Sequence, residues 1–112
     1  MAAFVPEAGD LIWLTFDPQA GHEQAGRRPA LILSPKSYNH KSGLALVCPV
    51  TNQVKGYPFE VPVPDHCGIT GVFLADQVKS LDWRVRQAEK FGAVPPPTLT
   101  GVLARLVPLL GY

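Results

Sequence analysis

The sequence predicts one mainly β domain over residues 1–112, in which a strongly curved antiparallel sheet is closed by a C-terminal helix. Three observations support this class. Short runs rich in β-branched and aromatic residues, or alternating in polarity, are separated by turn formers. Near the C-terminus the apolar period changes to that of a helix. A chain of 112 residues is also long enough to bury a single core.

Each predicted strand has its own sequence reason. DLIWLTF at 10–16 is rich in β-branched and aromatic residues. GLALVCPV at 43–50 is apolar almost throughout, as central strands are, so Pro49 should lie at a bulge or near the strand's end. FEVPVP at 59–64 alternates apolar residues with polar residues or proline, which is typical of an edge strand. The remaining predicted strands are 29–34, 71–76 and 77–83.

The predicted helix lies near the C-terminus and has one apolar face. Pro95 to Pro97 should set its start, because proline is tolerated in the first turn. Pro108 lacks an amide hydrogen and should kink or end the last turn. The residues that share the apolar face are Leu99, Val102, Leu103, Leu106, Val107 and Leu110.

Composition excludes several classes of protein. A hydrophobic fraction of 46% with 17% charged residues is typical of a globular domain and not of a disordered one. No run resembles a signal peptide or a membrane span, so we expect no membrane partner and a cytoplasmic location. We therefore expect Cys48 and Cys67 to be reduced, with Cys48 in the core.

Charge is unevenly distributed along the chain. Residues 1–23 contain four acids and no lysine or arginine, whereas residues 24–59 contain five bases and no acid. This layout suggests a polyanion partner, with a solvated basic face as the alternative. The five bases are Arg27, Arg28, Lys36, Lys41 and Lys55.

The sequence lacks the motifs of several common kinds of active site. His22, His40 and His66 are far apart, and no pair of ligands has metal-binding spacing, so we expect no metal and no cofactor. A phosphate-binding glycine loop and a serine nucleophile elbow are also absent. Cys67 follows a histidine directly, and neighbours in extended chain point apart, which argues against a Cys–His dyad.

The segment GHEQAGRRP at 21–29 offers a base, an acid and a cation together. RNA can be cleaved through its own 2′-hydroxyl if a base takes that proton, an acid protonates the leaving 5′-oxygen and cations hold the phosphate. His22, Glu23 and Arg28 supply these groups. The alternative is a surface loop whose glutamate and arginine pair with each other.

Several motifs in order resemble the MazF/PemK toxin family, the MazF branch most of all. They are DLIW, FDP, GHEQAGRRP, LSP, PVTNQVKGYPFEV and LADQVKSLDW, and they extend from about Gly9 to Trp83. The resemblance implies an SH3-like barrel of the MazF/Kid/CcdB type and a homodimer. It implies the toxin of a toxin–antitoxin pair, inhibited by a MazE-like antitoxin through an acidic tail. It also implies a sequence-specific, metal-independent endoribonuclease that cleaves single-stranded mRNA and leaves a 2′,3′-cyclic phosphate and a 5′-hydroxyl.

The resemblance assigns the catalytic roles residue by residue. It implies that Arg28 stabilises the phosphate or acts as the acid, that Thr51 helps to hold the phosphate, and that Glu23 is a candidate base. His22 matches the histidine of the PemK branch, which pairs there with an aspartate that matches Asp76. Leu74 replaces an arginine of that set, so the PemK-type set is incomplete here.

The same motifs imply an RNA-binding surface. Gln77 and Lys79 alternate with Val78, so both can lie on one side of a sheet and contact base edges or phosphates. Asn52 replaces a second threonine that is common in the family. The RNA-binding candidates are Gln24, Asn52, Gln53, Lys55, Asp76, Gln77 and Lys79.

For several single residues, a purely structural role is the alternative. Thr51 could cap a strand end, Asp76 could be a turn residue, and Tyr57 and Phe59 could be core. Trp13 is expected in the core. Trp83 is expected either there or at a dimer contact.

Two other functions remain open on the same fold. CcdB-type toxins poison DNA gyrase without cutting RNA, through the end of the C-terminal helix, which is commonly Trp-Gly-Ile. This chain ends Leu110-Gly111-Tyr112 and keeps Arg28 and Thr51, which favours the nuclease. An inactive RNA-binding relative is the third possibility.

Overall fold

The computed structural model describes residues 4–16 and 26–112 of the chain. That part of the chain contains seven strands and two helices. The elements are β1 Asp10–Phe16, β2 Gly26–Ile32, α1 Lys36–Ser42, β3 Leu44–Thr51, β4 Glu60–Pro62, β5 Val72–Leu74, β6 Lys79–Asp82, β7 Glu89–Ala93 and α2 Pro96–Leu109.

The strands form one antiparallel network in the order β4-β5-β3-β2-β1-β7, with β6 also paired to β3. This architecture confirms the predicted class, a mainly β antiparallel sheet with a C-terminal helix. β4 lies at the edge of the network, as its prolines predicted.

Strand β3 changes partner along one of its edges. Leu44 to Val47 pair with β6, whereas Val50 and Thr51 pair with β5. Pro49 lies between the two paired segments and has no amide hydrogen to donate to a ladder. The sheet therefore divides at this point, near the end of β3, which is where the sequence placed the proline.

Hydrophobic side chains pack on both faces of the sheet, because successive strand residues point to opposite sides. One cluster contains Leu11, Leu31 and Cys48 and is covered by α2 through Val102 and its neighbours. The second cluster lies on the opposite face. Its buried members are Ile12, Leu14, Ala30, Ile32, Ala45, Val47 and Trp83.

Helix α2 has the predicted start and the predicted apolar face. Pro95 is its N-cap, and prolines occupy its first turn. It ends one residue after Pro108. Leu99, Val102, Leu103 and Leu106 pack against the first cluster. The predicted apolar face extends past the core at its C-terminal end, where Leu110 is 62% exposed.

Two elements were not predicted from the sequence. Helix α1 has no apolar stripe, and its stability comes from tertiary contacts: the buried Asn39 donates its amide hydrogens to the carbonyl oxygens of Pro6 and Ser34. The Glu7 carboxylate accepts the Lys36 amide hydrogen at the start of α1. Strand β7 is polar and forms because β1 offers it a free edge.

Trp83 and both cysteines are buried. Trp83 is buried in the second cluster and donates its indole hydrogen to the Asn39 carbonyl oxygen. Cys48 is buried in the first cluster, as predicted, and burial raises the pKa of its thiol to about 12. Cys48 and Cys67 are both free thiols. Neither α1 nor α2 has the length and apolarity needed to cross a bilayer.

Candidate active site

Three adjoining depressions meet at Thr51, the last residue of β3. Arg28 lines two of them together with Thr51. β2 pairs with β3 from Ala30–Pro49 to Ile32–Val47, and Arg28 and Thr51 each lie two residues beyond the Ala30–Pro49 pair on their own strands. The two side chains that the sequence proposed for phosphate binding therefore lie on neighbouring strands at one opening.

Arg28 and its neighbour Arg27 have different surroundings, because consecutive strand residues point to opposite faces. Arg27 donates to the Thr15 hydroxyl and the Gln87 carbonyl oxygen, and its guanidinium lies 3.2 Å from a Glu89 carboxylate oxygen. Arg27 thus ties β2 to β1 and β7. Arg28 is half-buried and lines the depressions.

The first depression lies where β3 stops pairing with β6 and begins to pair with β5. Its volume is about 170 Å³. Pro49 and Leu81 form part of its apolar wall, and Gln77 and Lys79 supply polar groups. Val78 packs instead against the first core cluster, so the predicted alternation of these three residues is confirmed.

The second depression lies between the β3–β4 connection and the turn after β5. Its volume is about 240 Å³. Its lining residues are Thr51, Gln53, Lys55, Tyr57, Phe59, Glu60, Leu74, Asp76 and Gln77. Tyr57 is exposed and Phe59 is half-buried, so neither is a core residue.

The third depression places Trp13 beside Arg28 and Thr51, and its volume is about 630 Å³. The expectation that Trp13 belongs to the core was wrong. Its side chain is half-buried, and its ring packs on Phe91 with a centroid distance of 4.9 Å. Its pair partner in β2 is Pro29, which is also half-buried and lines the same depression.

Local contacts fix the backbone around Thr51. The Thr51 hydroxyl oxygen accepts the Gln53 amide hydrogen, and the Asn52 side-chain oxygen accepts the Thr70 hydroxyl hydrogen at 2.8 Å. Gly71 has a φ of +115° and lies so close to the Thr51 carbonyl group that a Cβ would be 2.8 Å from its carbon. No other residue type fits there without a shift of backbone.

The predicted site residues fall into two groups. The structure brings eight of them to the three depressions: Arg28, Thr51, Asn52, Gln53, Lys55, Asp76, Gln77 and Lys79. His22, Glu23 and Gln24 lie outside the described residues.

Sequence reasoning missed three residues of this site. Trp13 escaped because an aromatic residue in a strand is usually core, and Glu60 because it lies in an edge strand. Gly71 carried a weak signal, since a glycine directly before an apolar run often marks a close backbone approach.

The basic middle third of the sequence does not form one basic surface. Lys36 and Lys41 lie on α1, and Arg27 is paired with Glu89. The cations that line the depressions are Arg28, Lys55 and Lys79. Among the described residues, no three His, Cys, Asp or Glu side chains are grouped so that they could hold a metal ion.

This arrangement has the chemistry for a phosphodiester ligand. Arg28 and Thr51 offer hydrogen-bond donors at one opening, and a guanidinium matches phosphate oxygens. Tyr57 and Phe59 offer aromatic surface in the adjacent depression, where unstacked bases can pack.

Comparison with known proteins identifies the family. A model described as "PemK-like, MazF-like toxin of type II toxin-antitoxin system" matches residues 7–110. The chain belongs to this family. The predicted family, the toxin class and the endoribonuclease class are thereby confirmed.

Individual relatives match this chain over almost all of its length. "Endoribonuclease toxin MazF" of Escherichia coli K12 is 51% identical over 111 residues, covering 99% of each chain. "Endoribonuclease PemK" of Escherichia coli is 38% identical over 109 residues, covering 93% of this chain and 81% of that protein. A chain in the crystal structure of MazE-MazF (Form-III) from Deinococcus radiodurans has a TM-score of 0.91 and 54% identity, covering 97% of this chain and 99% of that chain. The fold of the structural relative confirms the predicted MazF-type fold, and both names from Escherichia coli favour the nuclease over the gyrase poison.

Proposed function

We propose that this chain cleaves single-stranded mRNA at a short recognition sequence, and that Arg28 and Thr51 hold the scissile phosphate. The observation that carries the proposal is that these two residues, on the neighbouring strands β2 and β3, line two of the depressions together. Family membership supports the reaction class.

The chemistry follows from what each group can do. The 2′-hydroxyl oxygen attacks the adjacent phosphorus, the bond to the leaving 5′-oxygen breaks, and the products are a 2′,3′-cyclic phosphate and a 5′-hydroxyl. Arg28 stabilises the charge that builds on the phosphate oxygens or protonates the leaving oxygen, and Thr51 donates its hydroxyl hydrogen. Glu23 or His22 takes the proton of the 2′-hydroxyl. No metal ion takes part in this scheme.

The polar residues around the phosphate position recognise the bases. Asn52, Gln53, Asp76 and Gln77 present amide and carboxylate groups that can bond to base edges, and Lys55 and Lys79 attract the backbone. Gln24 extends this set from the segment that precedes β2. We also propose the cytoplasm as the site of action, because mRNA is the substrate.

The direct test is cleavage of a mixed RNA pool by the purified chain in EDTA. We expect cuts at one short sequence, with a cyclic phosphate on one product and a 5′-hydroxyl on the other. Sequencing the ends gives the recognition site. Absence of cleavage by the folded chain, or cleavage only after addition of a divalent metal, would contradict the proposal.

We also propose that an acidic antitoxin tail binds the same surface. The cations Arg28, Lys55 and Lys79 around the depressions support this, since the charges that attract RNA also attract an acidic peptide. A flexible peptide that folds on binding can cover such a surface. The structure of MazE-MazF from Deinococcus radiodurans, in which this fold occurs, is consistent with a partner of this kind.

The working unit that we propose is a homodimer. Apolar residues at the end of α2 and after it are exposed, and Tyr112 reaches 90%. A second copy that covers Val107, Leu109 and Leu110 would bury this surface. Light scattering at micromolar concentration should give twice the mass of the chain. A monomer with full cleavage activity would contradict the dimer.

A further inference from the structure

The connection between β3 and β4 is held by contacts from outside itself. This β3–β4 loop, residues 52–59, belongs to no strand or helix, and 52–58 are exposed. Even so, it supplies much of the second depression, including Lys55 and Tyr57. An exposed segment of this length pays a large entropic cost if it must be ordered at the moment of binding. Its anchors therefore decide whether the depression exists before RNA arrives.

The first anchor is the Glu60 carboxylate at the start of β4. One of its oxygens accepts the Lys55 amide hydrogen at 3.0 Å, and the other accepts the Gly56 amide hydrogen at 2.9 Å. Both contacts fix backbone next to the lysine that we propose for RNA binding. Gly56 has a φ of +79°, so the loop turns at a residue that tolerates the left-handed region.

The second anchor comes from helix α2. Arg105 donates its Nε hydrogen to the Pro58 carbonyl oxygen at 3.1 Å and an Nη1 hydrogen to the Gly101 carbonyl oxygen at 3.0 Å. The guanidinium is thus held against its own helix while it binds the loop. This contact joins the end of the β3–β4 loop to the helix that covers the first core cluster.

Glu60 places a negative charge in a depression that we propose for RNA. A carboxylate that lines a depression intended for a polyanion repels the ligand. Glu60 nevertheless faces the depression, and its two oxygens are engaged by backbone amides. We propose that Glu60 and Arg105 are positioning residues for RNA binding, which hold the β3–β4 loop in its binding form before the substrate arrives. This inference rests on the proposed function.

The charge effect and the positioning effect of Glu60 have opposite signs, which gives a sharp test. Glu60→Gln removes a negative charge but leaves a single acceptor oxygen for two amide hydrogens. Simple electrostatics expects a lower KM for RNA, whereas positioning expects KM to rise roughly tenfold with kcat almost unchanged. Asp65→Asn, an exposed residue outside the second depression, measures the effect of the same change in net charge.

Arg105 provides an independent arm of the test. Arg105→Ala removes the contact with Pro58 and should raise KM, while Arg105→Lys keeps the charge and a donor and should restore part of the affinity. Lys41→Ala on α1 is the control for loss of one positive charge. Amide exchange of Lys55 and Gly56, followed by NMR without RNA, should become faster in Glu60→Gln.

The outcomes separate the two proposals. If the wild-type chain cleaves no RNA, the proposed function has failed, and amide exchange still reports whether Glu60 anchors the loop. If the wild type cleaves RNA and Glu60→Gln lowers KM or leaves it unchanged, the positioning role is wrong. A fall in kcat alone, without a change in KM, would mean loss of folded enzyme and would also overturn it.

Discussion

Gly71 and the carbonyl group of Thr51 are in such close contact that only a residue without a side chain fits between β5 and the end of β3. Thr51 in turn lines all three depressions and shares two of them with Arg28. The position of the proposed phosphate-binding hydroxyl therefore depends on a glycine that touches no substrate.

Gly71→Ala should lower both stability and activity. A Cβ at φ +115° is strained and also displaces the Thr51 backbone, so we expect a loss above about 2 kcal/mol in the free energy of unfolding. Cleavage per folded molecule should fall as well. Gly68→Ala is the matched control, because Gly68 has a φ of +83° but open space around its Cβ position. It should cost about 1 kcal/mol and leave cleavage intact. Urea unfolding and initial rates measure both; equal effects of the two substitutions would contradict the steric argument.

Arg28→Ala and Arg27→Ala should separate catalysis from stability. Arg28→Ala should reduce kcat about 100-fold or more, since it removes a donor to the developing phosphate charge. Arg27→Ala removes contacts with Thr15, Gln87 and Glu89 on the other face, and should lower stability by about 1 kcal/mol. Rates are to be compared per folded molecule, with the folded fraction taken from circular dichroism. Full activity of folded Arg28→Ala would remove Arg28 from the catalytic set.

An acidic antitoxin tail and RNA should exclude each other. We expect a synthetic acidic tail to displace a labelled RNA in which the attacking 2′-hydroxyl is replaced by hydrogen. The affinity of the tail for the chain should fall as the salt concentration rises. Lys79→Ala should weaken both ligands because Lys79 lines the first depression, whereas Lys41→Ala on α1 should weaken neither. Fluorescence anisotropy measures the competition. A ternary complex without mutual weakening would mean that the two ligands bind separate surfaces.

Gly101→Ala should stabilise the chain. Gly101 lies inside α2, and a Cβ there would meet the Arg105 side chain at an ordinary 3.7 Å. Replacing a helical glycine by alanine reduces the entropy of the unfolded chain, so we expect a gain of about 0.5–1 kcal/mol. The urea midpoint should rise at constant m-value. A lower midpoint would mean that the helix backbone at this position is not free to accept a methyl group.

Stability should fall at alkaline pH because of Cys48. Burial raises the pKa of its thiol from the ordinary 9.0 to about 12, so the folded state keeps a proton that the unfolded state releases. The contribution is fully present below pH 9.0 and is lost as pH rises toward about 12. We expect Cys48→Ala to flatten the loss between about pH 9 and pH 11 by roughly 1 kcal/mol per pH unit. Urea unfolding across this range tests the slope, and an unchanged slope would contradict the assignment.

Several elements could be predicted from the sequence because local chemistry encodes them. β1, β3 and the edge strand β4 have periodic or apolar patterns, and α2 has prolines at its start and an apolar stripe. The order of its motifs also determined the family and the residues expected at the site. These signals are readable because each depends on residues close together in the chain.

The folded structure was needed to show which of those residues meet, and which elements form without a local signal. Helix α1 depends on the buried amide of Asn39, and β7 depends on the free edge of β1. The pairing of β2 with β3 brings Arg28 and Thr51 to the same depressions, and the change of partner along β3 opens the depression beside them. It also separates Arg28 from Arg27, although the two are adjacent in sequence. Register and strand exchange depend on contacts between distant segments, which composition and periodicity do not encode.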